Sequence, residues 1–134
     1  MDLTRFVEAQ DRHWEAICAE LAAGRKTSHW MWYVFPQLRD LGRSERALYY
    51  GIADRAEATA YLADPVLGPR LRDVCALMLA AEAETAEEVL GPVDALKLRS
   101  SATLFDAIEP GAVFGEILSR FYAGVPDPET LRRL

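Results

Sequence analysis

Apolar residues recur at intervals of three and four along most of this chain, the spacing that places side chains on one face of an α-helix. Residues 3–21 show the pattern first, residues 71–79 repeat it, and residues 113–122 carry it again. Residues 28–35 alternate enough to be read as a strand, but no second strand is indicated nearby to pair with them. We therefore interpret them as a short buried helix capped by Ser28.

Residues that start and stop helices separate these apolar segments. Glycine or proline closes several of them, and Gly68 followed by Pro69 predicts a break and a restart. Candidate N-caps are Asp2, Ser28, Ser44, Asp54, Asp64, Thr85 and Asp127. Because every connection is short and no repeat or linker occurs, the sequence predicts one compact all-α domain over residues 1–134, with about seven to nine helices.

Charge and composition exclude several classes of function. A net charge of −6 opposes binding to nucleic acid, whose recognition depends on phosphate neutralisation. No apolar run reaches the ~18 to 20 residues of a membrane span, and the N-terminus carries no signal pattern, so we expect a cytoplasmic protein. Cys18 and Cys75 fall in apolar helical stripes, and His13 and His29 share no helical face, so we expect neither a metal site nor a cofactor.

No catalytic motif points to a reaction. The chain lacks G-x-S-x-G, H-E-x-x-H, a P-loop and G-x-G-x-x-G. Whether it is an enzyme, and its oligomeric state, stay open at this point. If it is an enzyme, His29 is the candidate acid or base, since an unperturbed imidazole titrates nearest neutrality.

Residues 25–38, RKTSHWMWYVFPQL, hold two of the three tryptophans and one of only two lysines. Burial in the core explains the aromatic residues. It does not explain the polar lead-in that begins at Lys26, or Gln37 directly after the aromatic run. These groups are typical of a mostly apolar pocket with a few placed polar side chains. Pocket and core remain equal alternatives from the sequence.

Residues 94–105, DALKLRSSATLF, form the second unusual segment. Lys97 shares a helical face with Ser100 and Ser101, a pattern that suits binding of an anion or an amide. A Ser-Lys hydrolase is disfavoured, because no glycine-bounded elbow exposes either hydroxyl. The structural alternative is an exposed pair of Asp94 with Lys97 and close packing at the serines. Gln10, which interrupts an apolar stripe, is either a satisfied core amide or a pocket group.

Five segments in order, RFVEAQ, GRKTSHWMWYVFPQL, YLADPVLGPRL, KLRSSATLF and TLRRL, resemble the bacterial family called domain of unknown function 1810 over essentially the whole chain. The resemblance implies a small, mainly helical fold and no established activity. Departures are Trp14, where Tyr is common, and Ala102, where Met is usual. The label calpastatin, often attached to this family, does not fit, because that inhibitor works through disordered repeats.

We therefore expect a pocket for a small, anionic, partly aromatic metabolite that is nucleotide-like in chemistry. In this hypothesis an indole supplies a stacking face, cations meet negative charge, and amides and hydroxyls set orientation. The candidate ligand-binding residues, which also match the family's motif positions, are Gln10, Lys26, Ser28, His29, Trp30, Trp32, Gln37, Lys97, Ser100 and Ser101. The alternative is a non-enzymatic interaction or self-association module that uses the aromatic segment 28–38.

Overall fold

A computed structural model describes all residues from 1 to 134 and contains nine α-helices and one 3₁₀ turn. It has no strand, only an isolated parallel bridge between Leu38 and Ile52. The predicted all-α class is confirmed. The helices are α1 (Thr4–Ala22), α2 (Met31–Val34), α3 (Glu45–Tyr49), α4 (Arg55–Ala63), α5 (Leu67–Ala80), α6 (Ala86–Leu90), α7 (Pro92–Ile108), α8 (Val113–Phe121) and α9 (Pro128–Arg132), and the 3₁₀ turn is Arg39–Leu41.

Four of the predicted N-caps close the first turn of the helix that follows them. Ser44 accepts a hydrogen bond from the N–H of Ala47 at 3.1 Å, and Asp54 accepts one from Glu57 at 2.9 Å. Thr85 and Asp127 do the same for α6 and α9. Each satisfies a backbone donor that a helix terminus leaves unpaired, so the local sequence sets these boundaries.

Two predicted boundaries are wrong. Ser28 does not cap α2, which begins three residues later, because the Ser28 hydroxyl donates to Glu20 instead. Helix α5 begins at Leu67 and runs through Gly68 and Pro69 without a break. A proline in the first turn is tolerated there, since its missing N–H would have had no intrahelical partner.

Helix α7 lies at the centre of a core of 31 buried hydrophobic residues. Every residue from 100 to 105 is buried, and α4, α6, α8 and α9 pack around the helix. Helix α1 packs against α5 and α2. None of the helices combines the length and apolar character needed to cross a bilayer.

Backbone hydrogen bonds and one arginine fix the chain between α2 and α4 beside α1. Ile52 donates to the carbonyl of Gln37 at 2.9 Å, and Arg39 donates to that of Ile52 at 2.8 Å. Gly51 is required at this crossing, since a Cβ there would lie 2.4 Å from the Cα of Arg39. Arg5 of α1 donates to the carbonyls of Tyr49 and Gly51. Helix α3 is thereby held next to α1.

Candidate functional site

Glu20, near the end of α1, organises the segment that precedes α2. Its carboxylate accepts hydrogen bonds from the N–H groups of Thr27 and Ser28 at 2.7 and 2.9 Å, and from the Ser28 hydroxyl at 2.7 Å. The indole N–H of Trp30 donates to it at 3.0 Å. Burial alone would raise the pKa of Glu20, but these donors lower it to about 2. His29, between two anchored neighbours, is left facing solvent.

The two unusual segments of the sequence meet at Asp94. Lys26 Nζ lies 2.9 Å from one Asp94 oxygen, and Lys97 Nζ lies 3.7 Å from the other. The same ammonium groups lie over indole rings, Lys26 at 5.0 Å from Trp30 and Lys97 at 5.1 Å from Trp32. Only 7% of the Lys26 side chain is exposed. Its ammonium group therefore forms a salt bridge that connects α7 to the chain before α2, and it is not free to bind a ligand.

A cleft of about 200 Å³ opens between α1, the chain that carries His29, α2 and α3. We call it the His13–His29 cleft. Its lining residues are Ala9, Arg12, His13, His29, Trp32, Tyr33, Arg46 and Tyr50. A second depression of about 170 Å³ is also bordered by His13, His29 and Tyr33. The two imidazoles therefore face the same two adjoining spaces.

The lining of this cleft contains no carboxylate, although the chain carries a net charge of −6. Neither Arg12 nor Arg46 forms an ion pair within the chain. The Arg46 guanidinium lies 5.1 Å from the centre of the Trp32 ring, a cation–π contact that orients it without neutralising it. The cleft is therefore a local positive region with uncompensated charge.

Tyr33 supplies a neutral hydroxyl to this positive region. Burial, together with the neighbouring Tyr50 hydroxyl, raises the pKa of Tyr33, and Arg12 and Arg46 only partly oppose the shift. The phenol therefore keeps its proton at neutral pH and can donate a hydrogen bond. The Tyr33 ring packs 5.1 Å from that of Tyr50 and 6.5 Å from that of His13, centre to centre.

Of the ten predicted site residues, the structure places His29 and Trp32 in the cleft lining. Trp32 also borders a much smaller depression with Gln37 and Lys97. The other six do not line the cleft: Gln10, Trp30, Ser100 and Ser101 are buried, and Lys26 and Ser28 are held by Asp94 and Glu20. Ser28 and Trp30 do border the second, adjoining depression.

Among the buried residues, Gln10 is a satisfied core amide. Its Nε2 donates to the Tyr33 carbonyl at 2.7 Å and to the Tyr61 hydroxyl at 3.1 Å. The Ser100 hydroxyl donates to the Leu96 carbonyl at 3.3 Å, a bond within its own helix. Gln10 therefore supports the fold beside the cleft without facing it, whereas Ser100, which also donates to Asp127 at 3.4 Å, lies on α7 away from the cleft.

Besides Ala9, the sequence analysis missed five lining residues that carry polar or aromatic side chains: Arg12, His13, Tyr33, Arg46 and Tyr50. One signal could have found two of them. Ala9, Arg12, His13 and Ala16 follow the i, i+3, i+4, i+7 spacing of one helical face, with small residues at both ends. His13 and His29 share no helical face, because His29 lies in the non-helical chain before α2, yet both line the cleft.

The arrangement suits capture of a small anion. Guanidinium groups bind phosphate or carboxylate through parallel hydrogen bonds, and imidazoles and phenols add further donors. No group of three or more His, Cys, Asp or Glu side chains lies close enough together to hold a metal ion. At about 200 Å³ the cleft is smaller than pockets that enclose a drug-sized ligand, roughly 300 to 1,000 Å³, so it fits the charged end of a metabolite.

The chain is similar to proteins whose function is also open. A comparison with functionally curated proteins gives no match. The crystal structure at 1.38 Å of the conserved hypothetical protein Rv1873 from Mycobacterium tuberculosis superposes with a TM-score of 0.97. The two are 46% identical, over 99% of this chain and 96% of that one. The family model described as protein of unknown function DUF1810 matches residues 1–134, so the chain belongs to the DUF1810 family.

Proposed function

We propose that the protein binds a small phosphate-bearing metabolite, nucleotide-like in chemistry, in the His13–His29 cleft. The observation that carries this proposal is the lining itself. Two unpaired guanidiniums, two imidazoles and two tyrosines surround one space without a carboxylate. In a chain of net charge −6, such a cluster is a local positive region that attracts a small anion.

The residues assigned to binding differ from those predicted from the sequence. Arg12 and Arg46, not the two lysines, would bind the negatively charged group of the ligand. Lys26 and Lys97 are instead paired with Asp94. Trp32 orients Arg46 in addition to bordering the ligand space. The rings of Trp32 and Tyr33 from α2 and of Tyr50 just after α3 border the cleft, which favours a ligand that itself carries a flat ring.

Burial argues for this proposal over the interaction module. In the aromatic segment 28–38, Trp30, Met31, Val34 and Phe35 are each 1% exposed. Little apolar surface is left there to dock a partner. The cationic groups also form one small cluster with no continuous stripe, which suits a metabolite better than a long polyanion.

A binding assay with a matched uncharged control tests the proposal. AMP, ADP and ribose 5-phosphate are titrated with tryptophan fluorescence and thermal unfolding as readouts, with adenosine as the control. We expect saturable stabilisation by at least one phosphate compound that weakens with added salt, and none by adenosine. Stabilisation by none of them, or equally by adenosine, contradicts the proposal.

Arginine variants locate the site. Arg12→Gln and Arg46→Gln each remove a charged donor, worth about 1.5–3 kcal/mol, so affinity should fall at least tenfold. Arg43→Gln is the matched control, because Arg43 is exposed, lies near the start of α3 and does not line the cleft. Equal weakening by Arg43→Gln would place binding elsewhere.

A further inference from the structure

We propose that the His13–His29 cleft hydrolyses a phosphodiester, with one imidazole as general base and the other as general acid; this inference rests on the proposed function above. Both histidines border both adjoining depressions, so the two rings line the same space that a phosphate would enter. They come from separate elements, His13 from α1 and His29 from the chain before α2. Both side chains are exposed and free of hydrogen bonds within the chain, so each can exchange protons with a ligand.

The charged and titratable groups around the imidazoles support this division of roles. Facing the cleft are Arg12 from α1, Tyr33 from α2, Arg46 from α3 and Tyr50 just after α3, and none of these side chains is a carboxylate. Asp11 and Glu15 do not line the cleft but border another, more open depression together with Arg12 and His13, and Asp11 is paired with Arg70 at 2.8 Å. An imidazole nitrogen either donates or accepts a hydrogen bond, so the two rings can take the two opposite roles in one space that holds no carboxylate.

The proposed step balances with water as the only co-reactant. The neutral imidazole takes a proton from a water molecule as its oxygen bonds to phosphorus. The bond from phosphorus to the leaving alcohol oxygen breaks, and the protonated imidazole gives its proton to that oxygen. The products are a phosphomonoester and an alcohol, and exchange with solvent restores the two imidazoles. Arg12 and Arg46 stabilise the charge on the non-bridging oxygens.

The small volume of the cleft favours a compact phosphodiester as the substrate. A space of about 200 Å³ holds a phosphate with its sugar but not a long oligonucleotide. A 2′,3′-cyclic nucleotide fits this limit, because its diester is closed within one ribose and its base can lie against the aromatic rim.

Hydrolysis of 2′,3′-cyclic AMP, followed by ³¹P NMR in the presence of EDTA, tests the inference, with AMP binding measured in parallel. We expect the rate of hydrolysis to show a bell-shaped dependence on pH. His13→Gln and His29→Gln should each lower the rate about a hundredfold, and each should abolish one of the two limbs of the pH profile. AMP affinity should change only a few-fold in these variants, and Arg43→Gln should keep the full rate. Circular dichroism checks that both histidine variants fold, which their exposed positions favour.

Three results overturn the inference. If AMP binds but 2′,3′-cyclic AMP is hydrolysed no faster than in buffer, the catalytic inference fails and the binding function stands. If neither compound binds, both fail. If hydrolysis persists unchanged in both histidine variants, the rate does not come from this cleft.

Discussion

At the residue scale, the carboxylate of Glu20 is the acceptor around which residues 27–30 are arranged. It takes four hydrogen bonds from three residues, and these anchor the backbone on one side of His29 and the indole on the other. An exposed histidine between two anchored neighbours has a defined position without a bond of its own. Glu20 is therefore a positioning residue for the cleft.

We expect Glu20→Gln to lower stability by about 1–2 kcal/mol at pH 7, after allowance for solvent screening of a partly exposed group. The pKa of Glu20 falls from 4.5 to about 2 in the fold. Because the folded value is the lower one, the carboxylate stabilises the protein above about pH 4.5, and this contribution is lost as the pH falls toward 2. Urea unfolding from pH 7 to pH 2.5 measures the difference between wild type and variant.

Glu15→Gln is the control for this experiment, since Glu15 lies on the same helix and is exposed. The free energy of unfolding of Glu15→Gln should stay close to that of the wild type at every pH from 7 to 2.5. A Glu20→Gln difference that is the same at pH 7 and pH 2.5 would show that the hydrogen-bonded charge is not its source.

At the element scale, α3 has only five residues, too short to be stable alone, and depends on its tethers. Arg5 supplies the strongest of these. It donates to the carbonyls of Tyr49 at 2.8 Å and Gly51 at 3.2 Å, and to Glu57 at 3.1 Å. Since α3 carries Arg46, the cleft depends on this contact with α1.

We expect Arg5→Met to destabilise the protein by about 2–3 kcal/mol, because it leaves the buried carboxylate of Glu57 without its cation. The amides of Leu48 and Tyr50 donate the backbone hydrogen bonds of α3. In the variant, hydrogen exchange should show a larger loss of protection at these two amides than at the amides of α8. Arg55→Met, which removes only an exposed bond to the Ala107 carbonyl, is the control. Equal loss of protection in α3 and α8 would mean that Arg5 has no special link to α3.

At the scale of the whole molecule, one core cluster of 31 residues joins all the long helices. We expect a single cooperative unfolding transition, with a calorimetric enthalpy of about 90 kcal/mol near 60 °C for 134 residues. Calorimetry and far- and near-ultraviolet circular dichroism measure it. Two separate transitions, or a van't Hoff enthalpy well below the calorimetric one, would contradict the prediction of one domain over residues 1–134.

Most of the helices were predictable, because their signals are local. The hydroxyl of Ser44 caps a helix three residues away, and the stripe from Val113 to Phe121 needs only its own spacing to show a buried face. Where the prediction failed, a distant residue competed with a local one. Ser28 has the side chain of an N-cap, but its hydroxyl donates a hydrogen bond to Glu20, and nothing in the sequence reveals that competition.

The sequence by itself determined the all-α class, most helix boundaries and the unusual character of residues 25–38, since spacing and capping act over a few residues. Only the tertiary structure decided which polar groups share a space. It turned Lys26 toward Asp94 and Gln10 into the core, and it set His13 opposite His29. The physical reason is that charge and hydrogen bonding depend on distance in space, and the packing of α1, α2 and α3 sets those distances.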